Sequence, residues 1–139
     1  MSGFLLDTNV VCEPSRPQPN AAALHWLASA DENTLYLSAV TIGEIRAGIE
    51  KVGAVRSTAR LETFLSALRA RFRERILPFD ANVAERWGRL VGGLASRGVR
   101  LPAIDSIVAA TALQHDLTLV TRNLKDFERA GVAIVDPFS

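Results

Sequence analysis

The chain has 139 residues, of which 48% are hydrophobic and 22% are charged, with a formal net charge of +1 at pH 7. These values suit a globular domain with a core of its own, exclude a disordered chain, and do not by themselves indicate a nucleic-acid-binding protein. The single cysteine cannot form an internal disulfide, and the residues before Asp7 resemble neither a signal peptide nor a membrane span, so we expect a cytoplasmic protein with no membrane partner.

The first half of the chain alternates short apolar runs with helical patterns. A short apolar run is typical of a buried strand, whereas apolar residues at three- and four-residue spacing are typical of a helix packed on a core. These patterns predict strands at residues 4–6 and 35–37 and helices at residues 20–30, 41–50 and 54–75. The Pro-rich stretch at residues 14–19 predicts a loop.

The second half continues the alternation. We predict an extended segment at residues 76–79, helices at 81–97 and 102–115, a strand at 117–120, a short helix at 123–129 and a last strand at 132–135. Asp80 is placed to cap the helix that follows it, and Gly98 to end that helix in the left-handed conformation. Strands that alternate with helices predict one α/β domain over residues 1–139, with a mainly parallel sheet covered by helices on both faces.

A basic stretch runs from Arg46 to Arg75 and holds eight basic residues against three glutamates. Such a stretch is either an ordinary solvated helix face or a positive surface for phosphates. The residue pattern alone favours the solvated face.

Four acidic residues lie where chemistry is expected in a parallel sheet. Asp7 directly follows the first strand, Glu44 lies in the helix after the second, Asp105 opens the helix before the strand at 117–120, and Asp126 follows that strand. Because the carboxyl ends of parallel strands meet at one edge, these carboxylates are expected to face one crevice. Clustered carboxylates repel one another unless a cation compensates them. The pattern therefore predicts a divalent metal, and all-oxygen ligands favour magnesium or manganese over zinc.

Each of these acids also has a purely structural explanation. Asp7 and Asp105 suit helix N-termini, where negative charge is favourable. Glu44 completes a capping box that begins at Thr41, and Asp126 suits a solvated helix face. Only the joint placement of the four favours a metal site.

Other candidate groups lack the partners that catalysis requires. His25 and His115 have no carboxylate or nucleophile at a useful spacing, and both are predicted to be structural. Cys12 lies near Asp7, but no cysteine–histidine arrangement supports nucleophilic catalysis. The sequence also lacks a glycine-rich phosphate loop.

Four segments, in order along nearly the whole chain, resemble motifs of the PIN-domain family, and in particular of its VapC and FitB-like toxins. The first is LLDTNV at residues 5–10, followed by EPSRP at 13–17, which is similar to the FitB-like branch. The others are LSAVTIGEIRAG at 37–48, DSIVAATA at 105–112 and LVTRN at 119–123. Any one motif is weak, but four in the same order are specific.

The resemblance implies a PIN-like three-layer α/β/α domain and a metal-dependent endoribonuclease. In it, a water activated by Mg²⁺, or by Mn²⁺ as a substitute, would hydrolyse an RNA phosphodiester without a covalent enzyme intermediate. The implied metal ligands are Asp7, Glu44 and Asp105. The implied supporting residues are Thr8, Asn9 and Thr121.

The fourth acidic position of the family departs from the pattern here. Some members have an aspartate where this chain has Asn123, so Asn123 would contribute a neutral amide oxygen or act through water. Asp126, three residues on, would supply the missing charge. Whether the site holds one or two metal ions therefore stays open.

The resemblance also implies partners. These are an antitoxin of the VapB or FitA-like kind that covers the active site with an inserted arginine, a homodimer of this chain, and a larger assembly of both. Candidate dimer surfaces are the helix at residues 54–72 and a stripe on the following helix, formed by Val83, Trp87, Leu90 and Leu94. Burial in the core explains both surfaces equally well.

Two other functions remain alternatives. A haloacid-dehalogenase-like phosphatase would use Asp7 as its nucleophile, but it expects a second aspartate in place of Asn9 and a longer chain. A catalytically degenerate PIN-fold binding module is the other, because of Asn123. The RNA target and the identity of the antitoxin do not follow from the sequence.

Overall fold

A computed structural model describes residues 3–139, so Met1 and Ser2 of the predicted domain lie outside the described residues. Five strands form one sheet: β1 (Phe4–Leu6), β2 (Leu35–Ser38), β3 (Ile76–Leu77), β4 (Thr118–Val120) and β5 (Ile134–Val135). Their order is β3-β2-β1-β4-β5, and all neighbouring strands are parallel. The predicted parallel sheet is confirmed.

Seven α-helices connect the described strands: α1 (Thr8–Val11), α2 (Ala21–Ser29), α3 (Ala39–Gly53), α4 (Ala59–Arg71), α5 (Ala81–Ala95), α6 (Ala103–Gln114) and α7 (Leu124–Phe127). Short 3₁₀ turns lie at Glu13–Ser15, Glu32–Thr34 and Arg73–Arg75. Because parallel strands need crossover connections, each helix or helix pair returns the chain to the same end of the sheet. In the part of the chain that the structure describes, no helix has both the length and the apolar character to span a membrane.

Alternation along the strands divides the core into two. Successive strand residues point to opposite faces, so Leu6 and Val120 pack with α1, α3 and α4, whereas Leu5 and Leu119 pack with α6 and α7. Phe72 lies in the first core and Phe127 in the second, and both side chains are fully buried. The predicted three-layer α/β/α architecture is confirmed.

The helix predicted at residues 54–75 was wrong at both boundaries. The observed helix begins at Ala59, because α3 runs on to Gly53 and closes in a turn in which the amides of Val55 and Arg56 both bond Val52 O. It ends at Arg71, where the chain tightens into a 3₁₀ turn. The guanidinium of Arg75 holds that turn by donating to the carbonyl oxygens of Leu35 and Arg71, at 2.6 and 2.8 Å.

The capping box predicted at Thr41 is also wrong. Helix α3 begins two residues earlier, at Ala39, and its N-cap is Ser38, whose hydroxyl accepts the amide of Val40 at 3.2 Å. Thr41 therefore lies inside the helix, where it is fully buried. The carboxylate of Glu44 is available for another contact.

The apolar stripe of α5 packs largely inside the molecule. Val83 and Leu94 are buried, and Trp87 and Leu90 are half-buried. The indole N–H of Trp87 donates to the hydroxyl of Ser106 on α6 at 2.8 Å. Packing against α6 thus accounts for this stripe, and the homodimer stays a prediction.

The strand order determines where side chains can meet. From the central strand β1 the chain goes outward to β2 and β3, then returns to place β4 and β5 on the other side of β1. The order reverses between β1 and β4, and in parallel sheets such a reversal opens a crevice at the carboxyl ends of the strands. Asp7 follows β1 and Thr121 follows β4, so both lie at this reversal.

The ends of α5 provide a test of the fold. Asp80 caps its start by accepting the amide of Val83 at 2.9 Å, and Gly98 follows its end with φ at +73°, both as predicted. Gly88 lies in the middle of the same helix, and a Cβ there would meet nothing within 4 Å.

We predict opposite effects for the same substitution at these two glycines. Gly98→Ala should lower the free energy of unfolding by about 1–2 kcal/mol, because an L side chain is strained at positive φ. Gly88→Ala should raise it by about 0.5–1 kcal/mol, because alanine favours the helix. Urea unfolding followed by circular dichroism measures both, and equal signs for the two variants would contradict this account of α5.

Candidate active site

Asp7 is the most buried carboxylate at the strand reversal, with only 5% of its surface exposed. Its own amide donates to Val120 O at 2.9 Å, which continues the β1–β4 ladder. Its carboxylate accepts the amide of Thr8 at 2.9 Å, the hydroxyl of Thr121 at 2.8 Å and the amide group of Asn9 at 3.3 Å. Asp7 therefore caps α1, as its structural explanation required, and also lines the cavity of the site.

Burial is the largest influence on the pKa of Asp7. Removal from water raises the pKa of this carboxyl, the three hydrogen bonds oppose the rise, and the negative charge of Asp126 adds to it. The net pKa is above the ordinary value. A nearby cation would therefore stabilise the ionised form.

Asn9 connects the loops that follow β1 and β4. Its amide nitrogen lies 3.4 Å from Thr121 Oγ1, and its amide oxygen accepts the backbone N–H of Arg122 at 3.1 Å. Thr121 Oγ1 also accepts the backbone N–H of Asn123 at 3.0 Å. An ionised aspartate at position 9 could accept hydrogen bonds but could not donate one to Thr121 Oγ1. The contact therefore depends on the asparagine that stands where the phosphatase pattern expects an aspartate.

Glu44 is held in the site by the first helix. The hydroxyl of Thr8 donates a short hydrogen bond to Glu44 Oε1, across from α1 to α3. This contact replaces the capping box that the sequence suggested. It fixes a carboxylate from the β2 side of the sheet next to the residues that follow β1.

Asp105 lies in the first turn of α6, on the far side of the crevice, and no side-chain hydrogen bond caps that helix. Its pKa is raised to about 6, first by burial and then by the negative charges of Asp7, Asp126 and Glu44. The three neighbouring carboxylates are thus close enough to act on the charge of Asp105, after burial has made the larger contribution. The structure brings Asp7, Glu44 and Asp105 to one cavity, whereas Asp126 does not line it.

One cavity of about 480 Å³ brings most of the predicted residues together. The described residues that line it are Asp7, Thr8, Asn9, Cys12, Ser15, Arg16, Glu44, Asp105 and Asn123. Asp126 is exposed on α7 outside this lining and acts on the site through its charge. Thr121 is fully buried, and its hydroxyl donates to the carboxylate of Asp7 at 2.8 Å.

The lining has the oxygen-rich chemistry that magnesium and manganese prefer. Residues 3–139 do not, however, hold three or more acidic, cysteine or histidine side chains close enough to enclose a metal ion. Mg²⁺ commonly keeps several waters and uses only one or two carboxylates directly, so an open arrangement suits it. Burial first, and then neighbouring negative charge, raise the pKa values of Asp7 and Asp105, and a bound cation would favour the ionised form of both.

Cys12, Ser15 and Arg16 line the cavity but were given no role by the sequence analysis. Burial and the charge of Glu44 raise the pKa of the Cys12 thiol to about 11, although Arg16 opposes the rise. A thiol with this pKa stays protonated at neutral pH, which agrees with the absence of nucleophilic chemistry expected for it. His25 and His115 are exposed and do not line the cavity.

The basic stretch is partly neutralised by ion pairs. Arg46 pairs with Glu62 at 2.8 Å, and Arg71 and Arg75 pair with Glu32 at 2.8 and 3.1 Å. These arginines contribute less positive charge to a phosphate surface than the residue count suggested. The finding agrees with a solvated helix face for this part of the stretch.

Comparison with known proteins agrees with the fold. The family model described as PIN domain matches residues 4–133. Toxin FitB of Neisseria gonorrhoeae is 38% identical over 136 residues, which cover 97% of this chain and 98% of that protein. VapC ribonuclease Y4jK of Sinorhizobium fredii is 34% identical over 140 residues, with 97% of each chain covered.

A solved structure gives the same result in three dimensions. The FitAcB crystal structure from Neisseria gonorrhoeae superposes with a TM-score of 0.84 at 38% identity, over 96% of this chain and 97% of that one. On the family model, the relatives and the shared structure, this chain belongs to the PIN-domain family, in its VapC and FitB-like branch.

Proposed function

We propose that the chain is a Mg²⁺-dependent endoribonuclease, with Mn²⁺ as a substitute ion, and that it acts as the toxin of a type II toxin–antitoxin system. The observation that carries the proposal is the cavity at the strand reversal, which Asp7, Glu44 and Asp105 all line, and in which burial and then the neighbouring carboxylates raise the pKa of Asp105. A relative of 34% identity is named a ribonuclease, and one of 38% identity is named a toxin.

Asp7, Asp105 and Glu44 would hold the ion, with water completing its coordination. When bound, the ion would lower the pKa of a water molecule and offset the negative charge that develops on the phosphate oxygens. The residues of the chain then have separate tasks. Asp7 is kept in position by Thr121 and the amide of Thr8, and Glu44 is oriented by the Thr8 hydroxyl.

Asn123 and Asp126 are proposed as outer partners. Asn123 lines the cavity with a neutral side chain, and Asp126 adds negative charge from outside it. Three carboxylates therefore remain in the lining despite the missing fourth one. Because these three carboxylates remain, we propose an active enzyme rather than a degenerate binding module.

The partners follow from the same site. We propose that an antitoxin of the VapB or FitA-like kind covers the cavity and inserts an arginine among its carboxylates, because a guanidinium pairs well with such oxygens. The FitAcB structure, which this chain resembles at 38% identity, is a complex. The proposal includes a homodimer, a larger assembly with the antitoxin, and a cytoplasmic location, where an RNA substrate is found.

Replacing Asp7 tests the proposed activity. We predict that Asp7→Asn lowers RNA cleavage at least about 100-fold, because it removes a charged metal ligand while keeping the shape of the side chain. Cleavage of a mixed cellular RNA pool in Mg²⁺, with the product ends mapped, measures the effect. EDTA should abolish the same cuts.

A matched control is available at Asp116. This aspartate is exposed and has φ at +53°, a conformation that asparagine also tolerates, so Asp116→Asn should cleave at the wild-type rate. Cleavage by Asp7→Asn at the wild-type rate, with contamination excluded, would refute the proposed function.

The metal site is also testable without activity. In EDTA at pH 7, Asp105→Asn should be more stable than the wild type, because the substitution removes a carboxylate whose ionisation is opposed by its neighbours. The carboxyl has a pKa of 3.8 as its ordinary value and of about 6 in the folded protein, so the loss of stability develops between these two pH values, and the difference should shrink as the pH falls from 6 to 4.

Added Mg²⁺ should reverse that order. Binding to the folded state raises the midpoint of thermal unfolding in a concentration-dependent way, so Mg²⁺ should stabilise the wild type and leave Asp105→Asn nearly unchanged. Thermal scans with and without 10 mM MgCl₂, roughly 100 times the dissociation constant of a site of 0.1 mM, would resolve the shift. Equal shifts in both proteins would remove Asp105 from the metal site.

Thr8 tests the proposed orientation of Glu44. Thr8→Val removes the hydroxyl that bonds Glu44 Oε1 but keeps the branched shape, and we expect kcat/KM to fall about 10- to 100-fold. Thr8→Ser keeps the hydroxyl and should retain most of the activity. If both variants lost activity equally, the loss would come from packing rather than from the hydrogen bond.

A further inference from the structure

Arg16 is the only basic side chain among the described residues that line the carboxylate cavity. It follows the 3₁₀ turn at Glu13–Ser15, and its side chain is 60% exposed. The rest of the lining is acidic or neutral, so it would repel a phosphodiester. Besides a bound cation, Arg16 is therefore the one positive group among these lining residues that could meet a polyanionic substrate.

Arg16 rests against a buried carboxylate. The side chain of Glu13 is only 4% exposed, and its Oε1 lies 3.5 Å from Arg16 Nη1. Oε1 has no hydrogen-bond partner among the described residues, whereas Oε2 accepts the amide of Asn20 at 2.7 Å. A buried carboxylate without enough donors is costly unless a cation compensates it. Glu13 therefore attracts the guanidinium from one side.

The backbone around Arg16 is also restrained. Its amide donates to Glu13 O at 3.1 Å, and the hydroxyl of Ser15 donates to Cys12 O at 2.7 Å. Three prolines in residues 14–19 further limit the loop, because each fixes its own φ. The guanidinium is thus pre-positioned at the mouth of the cavity, which lowers the entropy lost on binding.

The geometry of the guanidinium leaves most of it available. Arginine carries five N–H donors in a planar fork that matches two oxygens of a phosphate, and the contact with Glu13 involves one edge. We infer that Arg16 binds an RNA phosphate beside the scissile one and that Glu13 is its positioning residue. This inference rests on the proposed ribonuclease function.

Arg16 could instead serve only to neutralise Glu13, and the salt dependence of RNA binding separates the two roles. Each phosphate contact on a single strand releases counterions and contributes about 0.7 to the slope of log Kd against log salt. An arginine that only pairs with Glu13 contributes nothing to that slope. Loss of the contact should also weaken binding about tenfold.

The experiment uses the full chain with Asp105→Asn as background, so that RNA is not cut during the measurement. Binding of a fluorescent single-stranded RNA of random sequence is followed by anisotropy in Mg²⁺ over a series of KCl concentrations. Arg16→Gln is compared with Arg89→Gln, a matched control because Arg89 also pairs with a glutamate, Glu85 at 3.4 Å, but lies outside the cavity.

We expect Arg16→Gln to reduce the slope by about 0.7 and the affinity about tenfold, and Arg89→Gln to change neither. Arg16→Lys should keep the slope, since the charge remains, but bind several-fold more weakly because the fork is lost. In the active background, Glu13→Gln keeps the acceptor for Asn20 and should raise KM with little change in kcat. Thermal unfolding of each variant establishes that it is folded.

The outcomes separate this inference from the function on which it rests. If Arg16→Gln and Arg89→Gln have the same slope and affinity while the wild type cleaves RNA and Asp7→Asn does not, the role of Arg16 is refuted and the nuclease stands. If the wild type neither binds nor cleaves RNA, the proposed function fails and the inference fails with it.

Discussion

The fold and the site both depend on keeping one nearly buried carboxylate at the end of the central strand. Asp7 continues the β1–β4 ladder through its own amide and starts α1 through its carboxylate. It would be costly there without donors, and Thr121, Thr8 and Asn9 supply them. These donors also connect the two loops at the strand reversal. The contacts that stabilise the buried carboxylate therefore also hold the residues that line the cavity in place.

The cavity is a region where stability and function oppose each other. Asp105 is left with a raised pKa by burial and by three neighbouring carboxylates, an arrangement that would not persist if packing alone determined the sequence. Glu13 repeats the pattern at the rim, where a buried carboxylate lacks a hydrogen-bond partner for one oxygen and faces Arg16. At both positions a carboxylate lacks the full set of partners that would compensate its charge, and such departures concentrate at functional sites.

The sequence predicted the strands, most helices and the meeting of Asp7, Glu44 and Asp105 at one cavity, because each depends on local periodicity and on the rule that parallel strands end at one edge. Asp126 was expected there too, but it lies on α7 outside the lining. It could not predict that Thr8 would hold Glu44, since that contact joins helices 36 residues apart and displaces a plausible local capping box. The start of α4 was wrong because α3 extended beyond its apolar pattern. Arg16 belongs to the EPSRP motif at residues 13–17. Its position beside the cavity, however, depends on the burial of Glu13, which the spacing of residues in a sequence does not predict.

The pairing of β1 with β4 has a consequence for the newly made chain. Thr121 reaches Asp7 across 114 residues of sequence, and the central strand lacks one of its two neighbours until β4 has been synthesised. At roughly 5–20 residues per second, the ribosome needs about 6–23 seconds to cover that interval. A growing chain therefore already carries Asp7, Glu44 and Asp105 before β4 can pair with β1, and the cavity that these residues line is complete only once most of the chain has been synthesised.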